Sequence, residues 1–269
     1  MDRYSEMTAL VEVTKPEPNI TVVRLNRPDR LNAISFELVT ELHDTFDLIA
    51  SDIECKVVIF TGAGRAFCAG LDLKDFGTPP KPGEHRHMPA GVDAQTFMSN
   101  LTVRMRDLPQ IIIAAVNGPA FGGGLALSCA ADIRIASESA TFCSAFIRTG
   151  LSGTDIGITY LLPRLIGNAN AFDLILTGRD IDAVEALRMG LVSRVVADSE
   201  LEELALSYAR GMAGYTASGL RTTKEVLWHN AEASSLTSAI ALEARNQNLL
   251  NYAPDVREHM EKYRKRTTG

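Results

Sequence analysis

Residues 111–131 read IIIAAVNGPAFGGGLALSCAA, in which Gly122, Gly123 and Gly124 separate an apolar strand from a run of small residues. The run from Leu125 to Ala131 is typical of a helix, so the three glycines lie at a strand-to-helix turn. Glycines in such a turn bring bare backbone N–H groups close to a ligand, and a helix N-terminus adds unpaired donors with a partial positive charge. A tight turn into a buried helix is the alternative that this stretch alone leaves open.

A second turn of similar chemistry spans residues 61–72, which read TGAGRAFCAGLD and follow the apolar strand that ends at Phe60. Two backbone turns, each placed after a buried strand, can direct two N–H groups at one oxygen. Main-chain donors arranged in this way form an oxyanion hole, which is often the largest electrostatic contribution to catalysis. The pair of turns therefore favours an oxyanion-binding site.

Composition limits the class of protein. The chain has 269 residues, 46 % of them hydrophobic, and a formal net charge of −6, which gives no reason to expect a nucleic-acid partner. No apolar stretch approaches the ~20 residues that span a bilayer, and the first residues lack the apolar core of a targeting peptide. The four scattered cysteines are typical of reduced, buried thiols. We therefore expect a cytoplasmic protein without a membrane partner or a metal site.

The spacing of apolar residues changes along the chain. Before about residue 170, short apolar strands alternate with connecting segments and one clear helix, over Ser35–Ala50 with Ser35 as its N-cap, which predicts an α/β core with a sheet buried on both faces. After that point helical spacing dominates, so we predict a core over residues 1–197 and a helical C-terminal section over 198–269. The predicted strands are Ile20–Leu25, Lys56–Phe60, Ile111–Val116, Asp132–Ala136 and Leu191–Val196, and the predicted C-terminal helices include Ala183–Met189, Leu201–Met212, Leu220–Leu227 and Leu236–Leu250.

One long segment, Gly77–Gly91, contains four prolines and has no regular periodicity. Such a segment beside a candidate site is often a mobile cover, and a disordered insertion is the alternative.

Five stretches, in order along the chain, resemble the enoyl-CoA hydratase/isomerase (crotonase) superfamily. They are Leu25–Ala33 (LNRPDRLNA), Ala66–Lys74 (AFCAGLDLK), Val116–Gly124 (VNGPAFGGG), Leu162–Gly167 (LPRLIG) and the stretch from Leu176 to Val192. The resemblance covers nearly the whole chain. It implies a crotonase-like spiral of ββα units followed by a helical C-terminal section, assembled as a homotrimer or a homohexamer.

The resemblance also implies a substrate and its contacts. The substrate class is acyl-CoA thioesters, in which coenzyme A is part of the substrate and no separate cofactor is needed. The implied oxyanion donors are the backbone N–H groups of Leu71 and Gly123. The implied substrate-binding residues are Asn32, Ala33, Ala69, Leu73, Lys74, Phe146 and Arg266, with Lys262, Arg264 and Lys265 as further candidates for the coenzyme phosphates. The alternative role of the four C-terminal cations is to complement the dipole of a terminal helix. These cations are Lys262, Arg264, Lys265 and Arg266.

The chain departs from the family at both glutamate positions that activate water in a hydratase. They are occupied by Ala126 and Phe146, neither of which can transfer a proton, and a phenylalanine tends to exclude water. One acid remains nearby, Asp155, in a loop where isomerases and dehalogenases of this superfamily carry a functional carboxylate. An N-cap for the following helical run is the alternative role of Asp155. Asp72, directly after Leu71, is expected to brace its turn.

These observations favour an isomerase in which Asp155 moves a proton between two carbons of an enoyl-CoA. Two alternatives stay open at this point. One is a hydratase with a non-standard acid/base set, and the other is a non-catalytic acyl-CoA binding protein.

Overall fold

The computed structural model describes residues 10–267, with the side chain of Arg266 left out. The strands of this part of the chain are β1 (Val11–Glu17), β2 (Ile20–Leu25), β3 (Val57–Gly62), β4 (Ile111–Val116), β5 (Ala120–Phe121), β6 (Ile133–Ser137), β7 (Thr141–Cys143), β8 (Asp180–Asp182) and β9 (Arg194–Val196). Its α-helices are α1 (Phe36–Ser51), α2 (Ala94–Asp107), α3 (Gly123–Ala130), α4 (Ile158–Thr177), α5 (Ala183–Met189), α6 (Leu201–Ala213), α7 (Ala217–Asn230), α8 (Leu236–Leu250) and α9 (Pro254–Thr267).

The main sheet has six strands in the order β1-β2-β3-β4-β6-β9, and every pair except the antiparallel β1–β2 is parallel. Its two faces contribute to two separate hydrophobic clusters. The larger cluster includes side chains of α1 to α4, and the smaller one lies beneath α6. Central strands β3 and β4 are buried along their whole length, as expected for a sheet covered on both faces. The prediction of an α/β fold is therefore confirmed.

A second sheet of three short strands, in the order β5-β7-β8, lies next to the candidate site. Its strand β5 immediately precedes the glycine triplet, and β5 and β7 pair in parallel through Ala120–Phe142 and Phe121–Cys143. This small sheet connects the glycine turn to the segment that contains Phe146.

Most predicted elements occur with boundaries shifted by a few residues. Strands β2 and β4 and helices α5 and α8 have the predicted bounds, and the side chain of Ser35 caps α1 by accepting from the Leu38 N–H. The strand predicted over Leu191–Val196 is shorter, because Leu191 and Val192 are buried in the turn that ends α5 and only Arg194–Val196 pairs with β6. Strand β1 and helix α2 were not predicted.

The C-terminal helices begin in contact with the core. Helix α6 buries Leu201, Ala205 and Ala209 against the main sheet. Helix α7 places the buried ammonium of Lys224 2.9 Å from a carboxylate oxygen of Asp132, just before β6. The division predicted between residues 197 and 198 stays a prediction.

The proline-rich segment of residues 77–91 packs along α1. His85 contacts Asp44, His87 contacts Asp47, and the ring of His87 stacks on the buried His43 with centroids 4.6 Å apart. Met88 is buried. These contacts contradict a disordered insertion, and the role of a cover stays a prediction. Of the helices in residues 10–267, none is long and apolar enough to cross a membrane.

Candidate active site

The first turn presents Leu71 through a short parallel bridge with the chain at Ile34. The Ile34 N–H donates to the Gly70 carbonyl at 2.7 Å, and the Asp72 N–H donates to the Ile34 carbonyl at 2.9 Å. Gly70 has a φ of +88°, in the region that favours glycine. The bridge thus fixes the residues on either side of Leu71, while the N–H of Leu71 takes no part in the hydrogen bonds with Ile34.

The second turn is built by the glycine triplet. Gly122 has a φ of +50°, and its N–H donates to the Cys143 carbonyl of β7 at 2.9 Å. A Cβ at Gly124 would lie 2.0 Å from the Cys68 carbonyl oxygen, so helix α3 packs directly on the first turn. The close backbone approach explains why small residues occupy these positions.

The two turns converge, and their candidate donors are unpaired. Two backbone hydrogen bonds join the turns, since the Cys68 N–H donates to the Pro119 carbonyl at 3.0 Å and the Phe121 N–H donates to the Cys68 carbonyl at 2.9 Å. A Cβ on Gly70 would lie 3.6 Å from the amide nitrogen of Gly123. Within residues 10–267, the N–H groups of Leu71 and Gly123 have no hydrogen-bond acceptor. Two adjacent unpaired donors can bind one oxygen, as the sequence predicts.

Asp72 braces the first turn. Its carboxylate is 5 % exposed, lies 3.1 Å from an Arg27 nitrogen and 3.3 Å from an Arg30 nitrogen, and accepts from the N–H groups of Lys74 and Asp75. Burial opposes ionisation of Asp72, but the two backbone N–H groups and the two arginines hold its pKa below the usual value. A stably ionised, fully engaged carboxylate is suited to holding the loop.

Asn32 also has its polar groups satisfied inside the protein. The side chain is fully buried, its oxygen accepts from the Arg27 N–H at 2.9 Å, and its amide donates to the Ala63 and Ala66 carbonyls at 2.9 and 2.7 Å. The Asn32 side chain therefore joins the loop that begins at Arg27 to the loop of Ala63 and Ala66. Because its polar atoms are engaged there, any ligand contact near this position involves neighbouring atoms such as those of Ala33.

Asp155 lies between a short 3-10 helix (Ala145–Thr149) and α4, and its side chain does not cap α4. The N-cap position is Gly157, with no side-chain cap, and the Asp155 carboxylate accepts instead from the Ile156 N–H at 2.7 Å. A second donor comes from a residue that sequence reasoning missed, Gln95 in the first turn of α2, whose side-chain nitrogen lies 2.5 Å from Asp155 Oδ1. Burial raises the pKa of Asp155, and the Ile156 N–H lowers it by a smaller amount.

The residue after Asp155 connects it to the glycine triplet. Ile156 has a φ of +35°, which is an outlier for a β-branched residue. Backbone strain of this kind clusters at functional sites. A Cβ at Gly123 would lie 3.2 Å from Ile156 Cδ1 and 2.6 Å from Ile34 Cδ1, so both isoleucines pack on the turn that carries the second donor.

Apolar side chains occupy the two positions at which the sequence resemblance places the glutamates of a hydratase. Ala126 is fully buried on α3, and Phe146 is half-buried, with its ring 3.7 Å from where a Cβ would lie on Gly122. Neither side chain can carry a proton, and the Phe146 ring adds an apolar surface beside the glycine turn.

The remaining predicted contacts surround the first turn or lie at the C-terminus. Leu73 and Lys74 follow Asp72 and are exposed, and Ala69 is half-buried two residues before Leu71. Lys262 pairs with Glu258 at 2.6 Å within α9. The side chain of Arg266 lies outside the described residues, so its predicted phosphate contact stays a prediction. In the described part of the chain, no group of three or more His, Cys, Asp or Glu side chains is arranged to hold a metal ion.

The fold and the two glycine turns define an α/β protein with two unpaired main-chain donors on neighbouring turns, and comparison with known proteins gives its family. The family model for enoyl-CoA hydratase/isomerase matches residues 15–268. The chain belongs to this family, whose members act on acyl-CoA, and the resemblance drawn from the five sequence stretches is confirmed.

Individual relatives carry different reaction names. The chain is 41 % identical to a probable enoyl-CoA hydratase of Mycobacterium bovis over 244 residues, which covers 91 % of this chain and 86 % of that protein. A probable enoyl-CoA hydratase/isomerase of Mycobacterium abscessus superposes with a TM-score of 0.84 at 37 % identity, over 96 % of both chains. A monofunctional enoyl-CoA isomerase of M. smegmatis superposes with a TM-score of 0.73 at 38 % identity, over 87 % of this chain and 99 % of that one.

Proposed function

We propose that this protein is an enoyl-CoA isomerase, which moves a β,γ double bond of an acyl-CoA into conjugation with the thioester. The observation that carries the proposal is the arrangement around Asp155. Asp155 is a carboxylate with a raised pKa, held one residue from an isoleucine that packs on the oxyanion turn, and it does not serve as a helix cap.

The reaction needs one proton carrier and a stabilised enolate. Asp155 takes a proton from the α-carbon, and the electron pair of that C–H bond moves into a dienolate whose negative charge rests on the thioester oxygen. The N–H groups of Leu71 and Gly123 stabilise this charge as it develops. Asp155 then returns the proton to the γ-carbon, the double bond forms between the α- and β-carbons, and the enzyme regains its starting state.

Hydration is less well supported by the same residues. Addition of water requires groups that hold a water and transfer its proton, and the two glutamate positions carry Ala126 and Phe146. Asp155 alone can serve two carbons of one substrate in turn, because a carboxylate that has taken a proton is the acid needed for the second step. The raised pKa of Asp155 suits both halves of such a transfer.

The surroundings of the first turn suit an acyl chain. Large apolar side chains are exposed near the two donors and in the loop that ends at Asp155, where a solvated polar surface is otherwise expected. They are Leu71, Leu73, Phe76, Ile147 and Leu151, which are 41 %, 71 %, 53 %, 37 % and 74 % exposed. The isomerase of M. smegmatis is one relative whose name agrees with the proposal, and the M. bovis relative is named for hydration.

The test uses the ultraviolet absorbance of the conjugated enoyl thioester. Purified protein is mixed separately with 3-enoyl-CoA and 2-enoyl-CoA substrates of matched chain length. The proposal predicts a rise in absorbance from the 3-enoyl substrate and no change from the 2-enoyl substrate. A fall from the 2-enoyl substrate without a rise from the other identifies a hydratase. Acyl-CoA binding without turnover of either substrate identifies a binding protein, and both results contradict the proposal.

A further inference from the structure

Gln95 makes a contact that the proposed reaction has not used. Its side-chain nitrogen donates to Asp155 Oδ1 at 2.5 Å across 60 residues of sequence, and to Ser99 Oγ at 3.3 Å within its own helix. The two N–H bonds of the carboxamide therefore have one acceptor each. Gln95 itself is exposed in the first turn of α2, where it contributes nothing to the hydrophobic core.

The two oxygens of Asp155 have different surroundings. Oδ1 accepts from both Gln95 and the Ile156 N–H, whereas Oδ2 accepts no hydrogen bond from residues 10–267. Two donors on one oxygen fix the rotation of the carboxylate and leave the other oxygen available for proton transfer. A carboxamide is suited to this task because it donates a hydrogen bond without carrying the charge that would strongly stabilise the ionised acid.

We propose that Gln95 is a positioning residue, which anchors Oδ1 of Asp155 so that Oδ2 is presented to the α- and γ-carbons of the substrate. This inference rests on the proposed function. Asp155 sits beside a strained residue in an exposed loop, and the backbone N–H of Ile156 alone leaves its side chain free to turn. The side-chain amide of Gln95 connects that loop to α2. The N-terminus of α2 is itself capped, because the Asp93 carboxylate accepts from the Thr96 N–H at 2.7 Å.

The test compares three variants of α2. Gln95→Leu removes the donor, Gln95→Glu replaces it with a second carboxyl group, and Ser99→Ala removes the other acceptor of the Gln95 amide. We expect kcat for isomerisation to fall about tenfold or more in both Gln95 variants, with KM changed by less than about twofold, because misplacement of a proton carrier slows the chemical step. Ser99→Ala should keep the parent kcat, and the two Gln95 variants should keep the parent Tm because the side chain of Gln95 is exposed.

The pH dependence supplies a readout that a purely structural role would not move. Loss of a donor to the ionised form, or addition of a nearby negative charge, raises the pKa of a carboxyl group. The acid limb of the kcat/KM profile should therefore move to higher pH in Gln95→Leu and further in Gln95→Glu. The carboxyl ¹³C titration of Asp155, followed by NMR in protein labelled at aspartate, should move in the same direction and does not depend on turnover.

The outcomes separate this inference from the proposed function. An inactive Asp155→Asn variant together with unchanged kcat and unchanged Asp155 titration in both Gln95 variants overturns the positioning role alone. An Asp155→Asn variant with the parent isomerisation rate overturns the proposed function and the role of Gln95 with it. A protein that isomerises no enoyl-CoA, and whose Asp155 titration is the same in all variants, contradicts both.

Discussion

Ile156 Cδ1 lies 3.2 Å from the position that a Cβ would occupy on Gly123, which brings the loop of Asp155 into contact with the turn that carries a proposed oxyanion donor. The contact joins parts of the chain that come from different elements, the start of α3 and the approach to α4. The turn of Gly123 and the loop of Asp155 therefore pack against each other. A substitution that displaces one of them should also displace the other.

Substitutions in the glycine triplet test how closely this turn packs against its neighbours. In Gly123→Ala the new Cβ would lie 2.6 Å from the end of the flexible Ile34 side chain, whereas in Gly124→Ala it would lie 2.0 Å from the fixed Cys68 carbonyl. We expect Gly123→Ala to fold and to lose about 100-fold in kcat, because the donor and Ile156 are displaced. Gly124→Ala should be strongly destabilised.

Thermal unfolding and the isomerisation rate measure the two effects separately. A Gly123→Ala variant with full activity would contradict the coupling between this turn and the loop of Asp155, because alanine keeps the backbone N–H and changes only the packing. A Gly124→Ala variant as stable as the parent would contradict the close packing of α3 on the first turn.

The histidine cluster on α1 predicts a dependence of stability on pH. Burial lowers the pKa of His43 from 6.5 to about 4, with His87, His85 and Arg104 adding to the effect and a hydrogen bond to the Phe97 carbonyl opposing it. The folded pKa is below the unfolded value, so stability is complete above pH 6.5 and is lost as the pH falls from there toward 4. The loss attributable to His43 approaches about 1.4 kcal/mol per pH unit in the lower part of this range.

Urea unfolding at pH 7 and pH 5 checks this prediction. The loss of stability between the two should be smaller in His43→Phe than in the parent, and unchanged in His259→Phe on the exposed surface of α9. Equal losses in the parent and in His43→Phe would show that His43 does not titrate as its burial requires.

A buried ion pair predicts how firmly α7 is attached to the core. Lys224 is 4 % exposed, and its ammonium lies 2.9 Å from Asp132 Oδ2 and donates to the Gln110 carbonyl at 2.9 Å and the Met105 carbonyl at 3.2 Å. Trp228 of the same helix donates to Asp132 Oδ1 at 2.7 Å. Lys224→Met should cost about 3 kcal/mol, because it leaves the largely buried carboxylate of Asp132 without its counter-charge.

The matched control is Arg221→Met, which removes an exposed cation from the same helix and should change stability by less than about 0.5 kcal/mol. Chemical denaturation of both variants gives the comparison. Equal stability of Lys224→Met and the parent would contradict the account of this attachment.

Local sequence signals predicted the elements whose formation depends on nearby residues. The strands β2 and β4 are continuous apolar runs, and Ser35 caps α1 as its position before an apolar helix indicates. Helix α2 was missed although Phe97, Leu101 and Met105 recur at four-residue spacing after Asp93, a signal that could have located it. Strand β1 was missed because this edge strand exposes several of its polar side chains, so its apolar pattern is weak.

The sequence predicted those parts of the site that depend on neighbouring residues, and it did not predict the contacts between distant residues. The two glycine turns are readable because each lies directly after an apolar strand, and Asp155 is the acid in the right loop. The contact with Gln95 was not readable, since it joins residues 60 positions apart and depends on how α2 packs. The full burial of Asn32 follows from the approach of the loop at Ala63 and Ala66, which the sequence around Asn32 does not reveal.

Asp155→Asn tests whether Asp155 carries the proton in the proposed isomerisation. The matched control is Asp75→Asn, which removes an exposed acid from the loop after Leu71. The measurement is the rate of conjugation of a 3-enoyl-CoA together with the Kd for a saturated acyl-CoA. We expect Asp155→Asn to lose about 100-fold or more in rate while its Kd stays within about twofold of the parent, and Asp75→Asn to keep both values. A parental rate in Asp155→Asn would show that another group carries the proton.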